Sequence, residues 1–167
     1  MKKNVIISII IIATIIGGYL WLSGGGQNII GNSTIYTNST YGFSLKLPEG
    51  MQASSFAEGE GEIVLITNDK LLMTNGGQDF QMQIYVSPFD EDIVLTAERI
   101  KNDLPEMKME SIGEAKVGEI QAVSFVSTNE IGQKTSEIWF VKGGNLYQAS
   151  TLEANSQNMA QIIDSWR

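Results

Sequence analysis

Asp90, Glu91 and Asp92 form the densest run of metal-ligating side chains in the sequence. Hard cations such as Ca²⁺ take several carboxylate oxygens from one loop, so Asp90 and Asp92 are the candidate metal ligands. The run lacks the spaced third acid, the central glycine and the terminal glutamate of an EF-hand loop. Acids leading into a helix are equally accounted for by the helix dipole. A second group, Glu58, Glu60 and Glu62, alternates with Gly59 and Gly61 and reads as a solvated loop too pliant to hold ligands. Neither cysteine nor histidine occurs. That removes thiol nucleophiles, disulfides, thiolate or imidazole metal sites and the Ser-His-Asp triad. Carboxylate, lysine or hydroxyl chemistry is what remains, yet no S-x-x-K, G-x-S-x-G, Walker or G-x-G-x-x-G pattern is present. No catalytic residue and no cofactor site are assigned, and a non-enzymatic role is expected. The alternatives are a carboxylate-dependent hydrolase acting on envelope polymer, which needs two acids facing across a cleft, and a Ca²⁺-binding extracytoplasmic domain.

Tyr41, Tyr85, Trp139 and Tyr147 are the aromatic candidates for a recognition surface, although aromatics on strands serve mainly as core or cross-strand pairs. The formal net charge of −8 argues against a nucleic-acid partner, since a phosphate backbone needs a basic face.

The elements that must position these residues begin at about Tyr41. Phe43, Leu45 and Leu47 alternate with Ser44 and Lys46 until Pro48-Glu49-Gly50, the pattern of a strand and turn. Residues 63–67 are an apolar run of strand length. Phe80, Met82, Ile84 and Val86 alternate with polar neighbours up to Pro88. The period then changes: Ile93, Ala97, Ile100 and Leu104 share one helical face, with acids ahead and Pro105 behind. Strands are expected at residues 111–117 and 119–128 around Gly118, the latter apolar on both faces and so central in the sheet. Gly143-Gly144 between residues 135–142 and 145–152 is the strongest hairpin signal. Asn155 is expected to cap a last helix with Met159, Ile162, Ile163 and Trp166 as its apolar stripe. Strands and helices in this order make an α+β domain over residues 41–167, an antiparallel β-sheet with helices packed on its faces.

Upstream the composition changes. After Lys2 and Lys3 no charged residue occurs until Lys46. Residues 5–22 are uncharged and include eleven Ile, Leu or Val, worth about −3 to −7 kcal/mol toward membrane insertion. They form the expected N-terminal transmembrane helix, a retained signal anchor rather than a cleaved peptide. Residues 1–4 then lie in the cytoplasm by the positive-inside rule, and the domain lies outside it. Residues 23–40, rich in Gly, Ser, Asn and Thr, read as a flexible linker whose last residues adjoin the first strand. Its sequons at Asn32 and Asn38 are exposed glycosylation acceptors in a host that modifies them, although linker composition alone accounts for both.

The opening YGFSLKLPEG, the TAERIKNDL helix after SPFDED, the strands carrying Trp139 and Phe140, the NLYQAS strand and the closing IIDSWR together resemble the PsbP/Mog1-like domain family. The family's usual aromatic after Pro-x-Gly is Met51 here. The resemblance implies an α-β-α sandwich around an antiparallel sheet and a non-enzymatic role: plant members are extrinsic subunits of photosystem II, and Mog1 members bind a small GTPase. It carries over no functional residue. With the anchor, it leads to the expectation of a single-pass cell-membrane protein whose extracytoplasmic domain is a binding or assembly module for another envelope or membrane protein.

Overall fold

The computed structural model describes residues 28–30, 33–68 and 81–167. The expected cytoplasmic residues 1–4, the transmembrane helix at 5–22, residues 23–27 of the linker, Asn32 and Phe80 lie outside the described residues. Among the described residues no helix is long and apolar enough to cross a membrane.

The described residues form two antiparallel sheets. Strands β1 (Asn28–Ile30), β2 (Ser33–Asn38) and β3 (Phe43–Leu47) make a three-stranded sheet in that order. The larger sheet uses β4 (Met51–Glu58), β5 (Gly61–Asn68), β6 (Gln81–Pro88), β7 (Glu110–Val117), β8 (Ile120–Thr128), β9 (Lys134–Lys142) and β10 (Asn145–Leu152). Its order is β4-β5-β6-β10-β9-β8-β7. The described residues also hold two short α-helices, α1 (Ala97–Asp103) and α2 (Ser156–Ile163). The fold is therefore mostly antiparallel β with few helices.

Side chains alternate across a strand, so the large sheet has two faces and a core on each. One face presents Val64, Ile66, Met82, Ile84, Phe140, Tyr147 and Ala149 to the small sheet and to α2. There Phe43 stacks on Trp166 with ring centroids 4.2 Å apart, and Phe140 stacks on Tyr147 at 4.8 Å. The opposite face presents Val123, Phe125, Trp139, Val141 and Leu146 to Phe89, Leu95 and Ile100 of α1 and the segment before it. Helices pack on both faces as the patterning requires.

Several sequence expectations shift. Residues 33–38 are not the end of a linker but β2, paired from Thr34 opposite Leu47 to Asn38 opposite Phe43. Thr34, Ile35 and Thr37 favour extended backbone, and Tyr36 supplies a buried anchor on β2. Asn38 is not an exposed sequon: it is 3% exposed, its amide nitrogen donates to Tyr36 and Glu62, and its Oδ1 accepts from the Tyr41 N–H. A strand absent from the sequence reading, β4, pairs with β5 along its full length. The strand with both faces apolar, β8, is internal but one place from the edge, while β10 is the middle strand.

The helix after the acids starts later than its periodicity suggests. Residues 91–96 are not helical; Thr96 is the N-cap, its Oγ1 accepting from the Arg99 N–H at 3.1 Å. Arg99 ties this segment to the helix: it grips Glu91 with both Nη atoms and Asp103 through Nε, while its guanidinium lies 5.6 Å over the Phe89 ring. Laid out this way, residues 89–95 insert Phe89 and Leu95 into the core. Asn155 occupies the cap position of α2 without a side-chain cap bond, because a 3₁₀ turn over Glu153–Asn155 feeds directly into the helix.

Candidate functional site

Asp90 and Asp92 are exposed, and Glu91 between them is committed to Arg99. Among the described residues no group of three or more acids is placed to hold a metal ion. Glu58, Glu60 and Glu62 do not share a loop: Gly59 and Glu60 turn the β4–β5 hairpin, and Glu62 sits on β5 accepting from Asn38. Gly59 has φ 57° while Glu60 has no positive φ, the arrangement of a type II′ turn. Of the four aromatic candidates, Tyr85, Trp139 and Tyr147 are buried and Tyr41 is half-buried. Tyr41 meets Tyr147 edge-on at 6.4 Å. Burial raises the pKa of Tyr41, Tyr85 and Tyr147, with nearby Glu62 adding to the rise at Tyr41 and Glu58 at Tyr85.

A larger constellation of polar side chains buried together lies elsewhere among the described residues, on β8, β9 and β10. Glu137, 7% exposed, is surrounded by donors. Its Oε1 accepts from Thr135 Oγ1 at 2.7 Å, Ser150 Oγ at 2.9 Å and Ser127 Oγ at 3.2 Å. Its Oε2 accepts from Trp139 Nε1 at 3.1 Å. Ser127 and Thr135 bridge each other at 2.8 Å. The register builds this arrangement, since Ser150 lies opposite Glu137 and Ser127 opposite Thr135, while Thr135, Glu137 and Trp139 share one face of β9. Gln148, opposite Trp139, is also buried, and its Nε2 has no hydrogen-bond partner.

Burial pushes the Glu137 carboxyl above the usual carboxylate range, and the hydrogen bonds from Thr135, Trp139, Ser150 and Ser127 pull it back down. All four donors turn inward onto the carboxyl. The cradle thus satisfies a buried carboxyl and links β8, β9 and β10 through side-chain hydrogen bonds. Sequence reading missed it because the alternation TSEIWFV signals only a strand. The available hint was an acid on the same strand face as a tryptophan, Glu137 and Trp139, with serines on the neighbouring strands.

No family model and no curated protein matches the chain. Among solved structures it is similar to the solution structure of cyanobacterial PsbP (CyanoP) from Synechocystis sp. PCC 6803, with a TM-score of 0.56. The sequences are 12% identical, and the match covers 90% of this chain and 99% of that one. It is also similar to a 1.50 Å crystal structure from Bacteroides thetaiotaomicron VPI-5482, with a TM-score of 0.49, 14% identity, and coverage of 75% of this chain and 44% of that one. The described residues carry a PsbP-like fold.

Proposed function

We propose that this chain is a single-pass membrane protein whose PsbP-like domain, outside the cytoplasm, is a binding or assembly module for another membrane or envelope protein. The observation that carries the reading is the PsbP-like fold, matched to a PsbP structure along nearly its whole length. The uncharged apolar run at residues 5–22 behind Lys2 and Lys3 supports the anchor and its orientation. The inward-turned Glu137 cradle accords with a non-catalytic role, because its carboxyl meets hydroxyls and an indole instead of a second acid across a cleft.

The test is photo-crosslinking of the full chain in its native membrane, with probes distributed over the exposed face of each edge strand, followed by purification. One dominant crosslinked protein is the expected result. Repeated recovery of the chain alone would overturn the reading. Ca²⁺ binding at Asp90 and Asp92 is separable: a site confined to the native state raises the melting midpoint in millimolar Ca²⁺, whereas the binding-module reading expects no shift.

A further inference from the structure

Glu137 and Gln148 are long polar side chains buried inside the large sheet, each 7% exposed. Glu137 on β9 stands opposite Ser150 of β10, and Gln148 of β10 stands opposite Trp139 of β9. The two are therefore diagonal neighbours on one face, with backbones about 7–8 Å apart, a separation that long side chains span.

Among the described residues the partners of the Glu137 carboxyl are three hydroxyls and an indole, all neutral. A buried charge that meets no opposite charge is costly. A count of hydrogens points the same way. Five contacts join the cluster once the 2.8 Å approach of Ser127 to Thr135 is included, while the three hydroxyls and the indole bring four hydrogens. An ionised carboxyl leaves one contact without a hydrogen. A neutral one adds the fifth, and the triangle of Glu137 Oε1, Thr135 Oγ1 and Ser127 Oγ then closes in one direction. Gln148 is the reverse case: its Nε2 carries two hydrogens and has no partner.

The surroundings hold no competing charge. Strands β8 and β10 contain no Asp, Glu, Lys or Arg, and on β9 the lysines lie at the two ends, Lys134 paired with Glu110 and Lys142 exposed. On the segment packed over this face, residues 89–109, Arg99 is committed to Glu91 and Asp103, while Asp90, Asp92, Glu98, Lys101, Glu106 and Lys108 are exposed. Tyr85 of β6, opposite Gln148, has Glu58, Tyr41 and Glu60 as its electrostatic neighbours.

We infer that Glu137 is a proton-operated latch inside the large sheet: neutral, it closes the hydroxyl triangle that joins β8 to β9; ionised, it releases the triangle and draws the Gln148 amide of β10 onto the carboxylate. Burial raises the carboxyl's pKa, so the latch is closed in acid and opens as pH rises through the folded value. Trp139 carries the change outward. Its indole donates to Glu137 Oε2, and its ring meets Phe125 edge-on at 5.2 Å in the core beneath α1.

The experiment is a pH titration of the full chain in neutral-lipid nanodiscs, followed by NMR. Two signals are read: the side-chain carboxyl carbon of Glu137, assigned with E137Q, and the indole N–H of Trp139, assigned with W139F. Glu137 should stay neutral after the exposed carboxylates have ionised, and the Trp139 N–H should then move with the same midpoint as the Glu137 carbon. E137Q should abolish that movement. Gln148→Met, which leaves the triangle intact, should weaken the ionisation of Glu137 roughly tenfold, the loss of one hydrogen bond to a charged group; it also keeps the test open should E137Q fold poorly. Glu137 titrating together with the exposed carboxylates would overturn the latch. So would a Trp139 N–H that stays fixed while Glu137 ionises, or one that responds equally in E137Q. Cooperative unfolding on raising the pH, with both native signals unmoved until then, would reduce Glu137 to a contributor to stability and likewise overturn it. An unshifted midpoint in Q148M would refute the part given to Gln148.

Discussion

Glu137 sets burial against charge, and its neighbours decide how far the conflict goes. A carboxyl whose folded pKa lies above its unfolded value holds its proton longer in the native state, so its stabilising contribution is full below the ordinary carboxylate pKa and is lost as pH rises through the folded value. Glu137→Gln removes that titration while keeping the shape. The wild type should therefore lose stability relative to E137Q as pH rises from about 4 to about 8; thermal melts of both proteins across that range check it, and a constant difference would refute it. The two buried tryptophans give a paired test. Trp139 Nε1 donates to Glu137, whereas Trp166 Nε1 is buried with no partner. Both W139F and W166F shrink a packed ring, but only W139F strips a carboxyl oxygen of its donor. It should cost about 1–3 kcal/mol more in denaturant unfolding. None of this was legible in the sequence, where Glu137 is one of 19 acids; what singles it out is a register across three strands that no local pattern encodes.

At the scale of elements, legibility followed the strength of the local signal. The Gly143-Gly144 turn was plain because both glycines must take positive φ, and they do, at 57° and 74°. Met159, Ile162 and Ile163 were plain because 3.6-residue spacing puts all three on one buried face of α2, whereas Trp166, expected on the same helical stripe, lies past the helix end and is buried through the turn that follows. β4 was hidden because its serines and alanines carry little hydrophobic alternation; it is a strand through its pairing with β5, a tertiary cause. The start of α1 was hidden for a similar reason, since the Arg99–Glu91 contact that holds the non-helical segment before it spans eight positions. Gly61 shows how tightly β5 is fitted. A Cβ there would overlap the Val86 carbonyl oxygen and press on the Tyr85 ring 3.0 Å away. Because backbone cannot move aside as a side-chain tip can, Gly61→Ala should destabilise by roughly 2–3 kcal/mol. The same change at Gly132, where nothing lies within 4 Å but φ is 81°, should cost about 1 kcal/mol from backbone strain alone. Equal losses at the two positions would mean that β5 and β6 are less closely packed than the geometry states.

For the whole molecule, the closing residues show how the parts are tied. Arg167 and Ser44 exchange backbone hydrogen bonds at 3.0 and 3.2 Å, Ser165 Oγ accepts from the Lys46 N–H, and Trp166 lies on Phe43. The end of the described chain thus lies against β3 and ties the small sheet to α2. Among the described residues, both core clusters draw on side chains between Tyr36 and Trp166. Charge divides the same way: with Lys2 and Lys3 set aside, 9 basic residues face 19 acidic ones, since 11 − 2 = 9, for a net −10 on the rest of the chain. On the reading of residues 5–22 as a membrane anchor, deleting residues 1–22 should leave the melting midpoint within about 2 °C while moving the protein from the membrane fraction to the soluble one. The two readouts separate the questions. A large drop in the midpoint would mean that the N-terminal residues contribute to the folded domain; a protein still sedimenting with membranes at high salt, its midpoint unchanged, would mean that the domain itself holds the bilayer, which its acidity opposes on anionic lipid.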